Sequence, residues 1–275
     1  MTAGKSRFLH FILRVVCALA LILPAALWQP GLGTQAETIQ QTAEGAKVLV
    51  LNYHKIDDVH ISLAVTRRDF ERQMAYLSEN NYHSITPDEL YAGILGQGEL
   101  PENPVLITFD DGYEDNYRNA YPILQKYGFK ATIFVVAGFI GRYPNYLTWD
   151  QALELEKNGI SIESHTVTHR SMTDLSDDEL RKELVDSKKL IEERLGKKVN
   201  YIAYPTGTYN LHIGQLVREA GYQAAFTIKY GNVDGGSNVY ALERVPIFHT
   251  EATNRDFLQR LHYIPAFAEF GWTKS

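Results

Sequence analysis

The sequence predicts an α/β protein, a distorted (β/α) barrel of about seven strands that is closed or nearly closed. Three observations predict it. From Lys47 onward, short apolar runs alternate with helical patterns for about seven rounds. No break in composition interrupts the alternation, and no repeat of fixed period is visible. Several apolar runs also end in polar residues, and the C-terminal ends of barrel strands are where such folds carry their chemistry.

The elements follow in order. "KVLVLNYH" is an apolar strand that ends in polar residues. "TRRDFERQMAYLSENNY" spaces Phe70, Met74 and Leu77 for one helical face, and Thr66 caps it. "SITPDELYAGILG" reads as a short strand and a capped helix closing at Gly96, and "PVLITFD" is the next strand. "EDNYRNAYPILQKYGF" is a helix ending near Gly128, and "KATIFVVAGFIG" is a buried strand. "TWDQALELEKNGI" is a helix stopped at Gly159, and "SIESHTVTH" is a strand running into a loop. "SDDELRKELVDSKKLIEERLG" has the clearest helical pattern. Ser176 and Glu179 form a capping box, Leu180, Leu184, Ile191 and Leu195 share a face, and Gly196 ends it. Strand "VNYIAYP", helix "IGQLVREAG", strand "AAFTI", the glycine-rich "KYGNVDGGSN" and strand "ERVPIFH" complete the series.

The N-terminus reads differently. Lys5, Arg7 and Arg14 accompany the apolar run from Val15 to Trp28, and "TQA" precedes Glu37. Residues 1–36 are therefore expected to be a signal peptide or membrane anchor, 37–46 a linker, and 47–275 the folded domain. This implies an exported protein, secreted or held at the cell surface or membrane through its N-terminus. The single cysteine, Cys17, lies in the apolar run, so the folded part has no thiol for catalysis, metal binding or disulfides. With 27 basic and 33 acidic side chains, the charge argues against a nucleic-acid surface. Such a chain is long enough to bury its own core, and a monomer is expected.

Two motifs carry chemistry. In "VLITFDDGYEDNY", Asp110 and Asp111 stand together at a strand end, and Gly112 lets the chain turn there. In "SHTVTH", His165 and His169 are four residues apart, which a tight loop or one helical turn puts on one side. Two imidazoles and one carboxylate, with positions left for water, make a catalytic zinc arrangement, with Asp110 or Asp111 as the carboxylate. A cation also relieves the repulsion between adjacent carboxylates. An Asp-Gly turn by itself would need no such explanation. It is the two motifs at strand ends of one alternating chain that carry the metal reading.

"TFDDG" followed by "SHTVTH", with "LTWDQALELEKNGISIESHTVTHRSM" between strands, resembles the NodB-type polysaccharide deacetylases, carbohydrate esterase family 4, from about Val48 to Phe248. The resemblance implies a NodB-like barrel, a divalent metal with zinc foremost, and hydrolysis of N-acetyl groups with release of acetate. It implies Asp110 as catalytic base and Asp111, His165 and His169 as metal ligands. Pro205, Thr206 and Gly207 of "AYPTGTYN" would sit at the oxyanion, with Thr206 where the family usually has an aromatic. Arg244 of "ERVP" would orient Asp110. "VLNYHKI" is similar to the subgroup acting on poly-β-1,6-N-acetylglucosamine, which implies His54 as the acid, with His249 as its competitor. Tyr113 and Tyr209 are candidates for substrate contact, and Tyr53, Tyr146 and Trp149 for lining a sugar groove. Peptidoglycan N-acetylglucosamine deacetylation and non-catalytic carbohydrate binding are the alternative readings.

Overall fold

The computed structural model describes residues 47–250 and 252–262. These belong to one compact unit, Glu44–Ser275. The expected signal or anchor (1–36), Cys17 and the whole of the expected linker (37–46) lie outside the described residues.

Strands β1 (Leu49–Tyr53), β2 (Lys55–Ile56) and β3 (Ala64–Val65) are followed by helix α1 (Arg67–Glu79), strand β4 (His83–Ser84) and helix α2 (Pro87–Ile94). Then come β5 (Pro104–Asp111), a π-helical turn (Asn116–Ala120), α3 (Tyr121–Tyr127), β6 (Ala131–Val135), α4 (Trp149–Lys157) and β7 (Ile160–Ser164). The chain continues through α5 (Asp177–Leu195), β8 (Tyr201–Ala203), α6 (Leu211–Glu219), β9 (Ala224–Tyr230), β10 (Leu242–Pro246) and α7 (Thr253–His262).

Strands pair in the order β1, β10, β9, β8, β7, β6, β5, and β5 pairs back with β1, so the expected closed parallel barrel of seven strands forms. Within that ring every strand has a partner on both sides. The short β4 pairs with β5 at Pro104 and Val105, below the point where β6 takes over at Thr108.

The two-residue period of a strand sorts its side chains into two apolar clusters. Leu51, Ile107, Ile133 and Ile162 pack outward with the helices, beside Phe70, Leu155 and Leu184. Val50, Leu106, Phe134, Tyr201, Phe226 and Leu242 form the separate inner cluster. Asn52, Thr108 and Asp110 share the inner period, so polar side chains occupy the carboxyl end of the barrel interior.

The helix caps read from the sequence are present. Thr66 Oγ1 accepts from Asp69 N, the Ser176–Glu179 capping box forms, and Gly196 closes α5 at φ +66°. Two local readings are corrected. The helix predicted from Glu114 opens with a π turn before α3, a form found mostly at functional positions. The strand predicted over 130–141 stops at Val135, because residues 136–141 turn at the mouth of the barrel. The glycine-rich stretch after Tyr230 is tied down, with Val233 and Val48 exchanging backbone hydrogen bonds of 2.7 and 3.0 Å at the start of β1.

Candidate active site

The carboxyl ends of β1, β5, β7 and β10 bring four sequence-distant segments together. β5 delivers both aspartates, and both are buried. The departure from strand geometry begins one residue earlier than Gly112. Asp111 itself has φ +76°, and Gly112 follows at +78°. A left-handed backbone is costly for a residue with a side chain, and such strain concentrates at functional positions. Here it lets Asp110 keep the inner direction while Asp111 swings toward the histidines.

His165 and His169 lie in the loop after β7, not on a helical turn. Thr166 and His169 both take positive φ, +66° and +61°. His165 Nδ1 faces the Ala203 carbonyl at 2.8 Å, which leaves Nε2 toward Asp111. The Nε2 atoms of His165 and His169 lie 3.5 and 3.1 Å from Asp111 Oδ1. One ligand atom from each residue falls within 4.8 Å of the others. Asp111 Oδ1 is buried and has no hydrogen-bond partner. A buried oxygen without a donor, facing two imidazole nitrogens, fits a divalent metal ion.

The charges agree with that fit. Burial pushes the His165 imidazole down, toward the neutral form that binds metal, against the pull of Asp110 and Asp111. The Asp111 carboxylate, 3.1 Å away, raises His169. Burial works to raise the Asp111 carboxyl, but the close approach of His169 and the charge of His165 outweigh burial and lower it.

Asp110 has different partners. Arg244, wholly buried on β10, donates Nη1 to Asp110 Oδ1 at 2.8 Å and Nη2 to Oδ2 at 2.7 Å. Asn52 Nδ2 adds a bond to Oδ2 at 3.0 Å. Arg244 is itself held by the Thr227 carbonyl at 2.7 Å and Thr108 Oγ1 at 3.2 Å, and lies 5.8 Å from the Phe134 ring centroid. A register shift between β9 and β10 falls at Leu242 and Arg244, and such irregularities re-aim side chains beside active sites. Burial would raise the Asp110 carboxyl, but the Arg244 guanidinium, with His165 and His54 behind it, holds it far below the usual carboxylate range. Asp110 is therefore ionised.

His54 follows β1, and its charge reaches both Asp110 and Asp111. Its carbonyl accepts from Asn116 Nδ2 at 2.8 Å, and its Nδ1 is buried without a hydrogen-bond partner. Asp115 pins the next two residues, pairing with Lys55 Nζ and accepting from Ile56 N at 2.8 Å. The π turn thus fixes the backbone that presents His54. His249 instead donates its backbone N–H to the Ser62 carbonyl, and its ring lies 5.9 Å from that of His60.

Pro205–Gly207 form a short 3₁₀ turn after β8. Thr206 has φ +59°, and its Oγ1 lies 3.0 Å from Thr208 Oγ1, which is 3.2 Å from Ser171 Oγ. Gly207 N donates to the Tyr204 carbonyl at 2.9 Å, so the turn's other N–H donor is that of Thr206.

The aromatic candidates divide. Tyr113 stacks on Tyr146 at 5.0 Å and carries Lys55 Nζ 4.3 Å from its ring centre. Burial and the Asp111 charge raise its hydroxyl. Tyr209 stacks on Tyr204 and lines a cavity of about 190 Å³ with residues of α6. Tyr53 is a correction: it is wholly buried, packed on Phe70 and Phe109, with its hydroxyl on Gln73. Trp149 is half-buried at the start of α4, beside Gly141 and with the Arg194 guanidinium 5.8 Å from its ring.

Sequence reasoning missed Asn52, Thr108, Asp115 and Asn116. Asn52 did leave a signal, a polar residue inside the apolar run "VLVLNY".

The polysaccharide deacetylase family profile matches residues 97–225, which include Asp110, Asp111, His165, His169 and Pro205–Gly207 but not His54 or Arg244. The chain is 40% identical over 207 residues to the "Putative polysaccharide deacetylase YxkH" of Bacillus subtilis (strain 168), covering 75% of this chain and 74% of that protein. It is 28% identical over 228 residues to the poly-β-1,6-N-acetyl-D-glucosamine N-deacetylase of Staphylococcus aureus (strain MRSA252), covering 72% of this chain and 78% of that protein. The Streptococcus pyogenes deacetylase PplD, solved in complex with acetate, superposes with a TM-score of 0.74 at 30% identity, covering 80% of this chain and all of that one. With the barrel, the paired carboxylates and the two-histidine loop in place, the chain belongs to the NodB-type polysaccharide deacetylases and is a deacetylase hydrolase.

Proposed function

We propose that this protein hydrolyses N-acetyl groups from an N-acetylglucosamine-containing extracellular polysaccharide, poly-β-1,6-N-acetylglucosamine foremost, and releases acetate. The observation that carries the reading is the pairing of two differently tuned aspartates: Asp110 locked to Arg244, and Asp111 facing two imidazoles.

Asp111, His165 and His169 would hold a divalent ion, zinc foremost. When bound, such an ion supplies Lewis-acid polarisation of an amide carbonyl and lowers the pKa of water toward ~7. Asp110 takes the proton of the attacking water as general base. Arg244 and Asn52 hold its carboxylate in one orientation, and Oδ1 retains a lone pair beyond its bond to Arg244. The oxyanion that forms on the former carbonyl accepts from Thr206 N–H, at the turn that also includes Pro205 and Gly207. His54, protonated, gives its proton to the departing sugar amine. Tyr113 and Tyr209 would contact the sugar at the rim, with less wall at Thr206 than an aromatic would provide.

The Staphylococcus aureus relative supports the β-1,6 linkage, as does the resemblance of "VLNYHKI" to that subgroup. Export through residues 1–36, a folded domain over 47–275 and action as a monomer complete the proposal. The test is acetate release from β-1,6- and β-1,4-linked N-acetylglucosamine oligomers, with and without chelator. Turnover confined to the β-1,4 series points to peptidoglycan. No turnover on either, with metal bound, leaves carbohydrate binding alone. Turnover unaffected by complete metal removal overturns the ligand assignment.

A further inference from the structure

The loop that carries His165 and His169 cannot hold its shape by local preference. Two of its non-glycine residues, Thr166 and His169, sit in the left-handed region, and Thr166 is β-branched. Such a backbone persists only where its surroundings over-determine it. Helix α5 supplies them. Its residues Glu179, Glu183 and Ser187 are spaced i, i+4, i+8 and so form one line along the helix. Each meets the segment between Ser164 and Arg170. Ser187 Oγ lies 2.9 Å from Ser164 Oγ, and Glu179 pairs with Arg170 Nη1 at 2.9 Å.

Glu183 sits between them and is buried. Its Oε2 accepts from Val167 N at 2.7 Å and from Thr168 N at 2.9 Å, and its Oε1 accepts from the Thr168 hydroxyl. These donors lie between the two histidines. A carboxylate on the apolar side of a helix, beside Leu180 and Leu184, is costly unless its hydrogen bonds are made. Here they are made by the loop backbone.

We propose that Glu183 is a positioning residue for the metal site: it holds the left-handed loop so that His165 and His169 point at Asp111. This rests on the metal reading given above. A glutamine can replace the carboxylate without losing the geometry. Its carbonyl oxygen accepts the two backbone N–H groups, and its amide donates to a rotated Thr168 hydroxyl. A leucine of similar size offers no acceptor.

The test uses the full chain stripped of metal, with Co²⁺ affinity measured by competition with a chromophoric chelator and the Co²⁺ absorption spectrum recorded. Glu183→Leu should weaken Co²⁺ binding about 10–100-fold, the range for lost supporting contacts at metal sites, and change the spectrum. Glu183→Gln should stay within about 3-fold of the unmodified chain. Ile191→Val, on the same helix, should lower Tm without changing affinity. If Glu183→Leu does not fold, Thr168→Val tests the clamp from the loop side, with a several-fold weakening expected. Unchanged affinity in the folded variant overturns the proposal, as does a loss no greater than that of Ile191→Val. A failure of the unmodified chain to bind Co²⁺ overturns the metal reading itself, and the proposal with it.

Discussion

Arg244 and Asp110 form a bidentate ion pair with both side chains essentially out of water, 0% and 2% exposed, at 2.8 and 2.7 Å. Breaking a buried pair from one side strands the other charge and costs about 3–5 kcal/mol. Arg244→Met should therefore destabilise by about that amount in urea unfolding. The double variant with Asp110→Asn should be less destabilised than Arg244→Met alone, because no charge is left buried. Asp110→Asn alone should retain metal and lose turnover by about 10²–10⁴-fold, read as acetate release beside elemental analysis.

His54 and His249 compete for the role of acid. His54 follows Tyr53, which pairs with Phe109 next to Asp110, whereas His249 contacts the loop between β2 and β3. His54→Ala should lower kcat by about 10²-fold or more. His249→Ala should stay within a few-fold of the unmodified enzyme. Reversed results would move the acid to His249.

Gly138 donates its N–H to the Val167 carbonyl at 3.0 Å, joining the β6 turn to the histidine loop. A Cβ there would stand 2.6 Å from that same carbonyl oxygen, which is backbone and cannot swing away. Gly138→Ala should cost about 1–3 kcal/mol by thermal unfolding and push the loop off Asp111, weakening metal binding. A variant as stable and as metal-loaded as the parent would contradict this contact.

Glu179 is held down to about 2, chiefly by the Ser176 backbone N–H and then by Arg170 and the Ser176 hydroxyl. Its pKa is depressed on folding, so its contribution is present above the unfolded carboxylate value. It is lost as pH falls through about 2. Glu179→Gln should therefore show its largest stability deficit at neutral pH, and the deficit should close between about pH 4.5 and 2. Urea midpoints at pH 7 and pH 2 check this. A deficit equal at both would assign the effect to capping rather than charge.

The extent of what was legible follows from range. Capping by Thr66 and Ser176, the glycine stops and the apolar periods are local, so the alternation of strands and helices could be read directly. The motif pairs Asp110–Asp111 and His165–His169 announced themselves because unusual residue types stood at strand ends. Asn52 and Glu183 did not, since an asparagine in a strand and a glutamate in a charged helix are ordinary until their partners are known. Tyr53 was misjudged for the same reason: nothing in "LNYH" says which face of β1 meets Phe70 and Phe109.

By itself, then, the sequence determined the element order, the barrel class and the chemically distinctive residues, because those depend on neighbours a few positions apart. Only the tertiary structure decided that Arg244 meets Asp110 as a buried bidentate pair, that Asp111 turns through a left-handed backbone, and that α5 braces the histidine loop. Each depends on strand register and helix rotation across more than a dozen residues of chain. Those are set by closure of the whole barrel and not by any single segment.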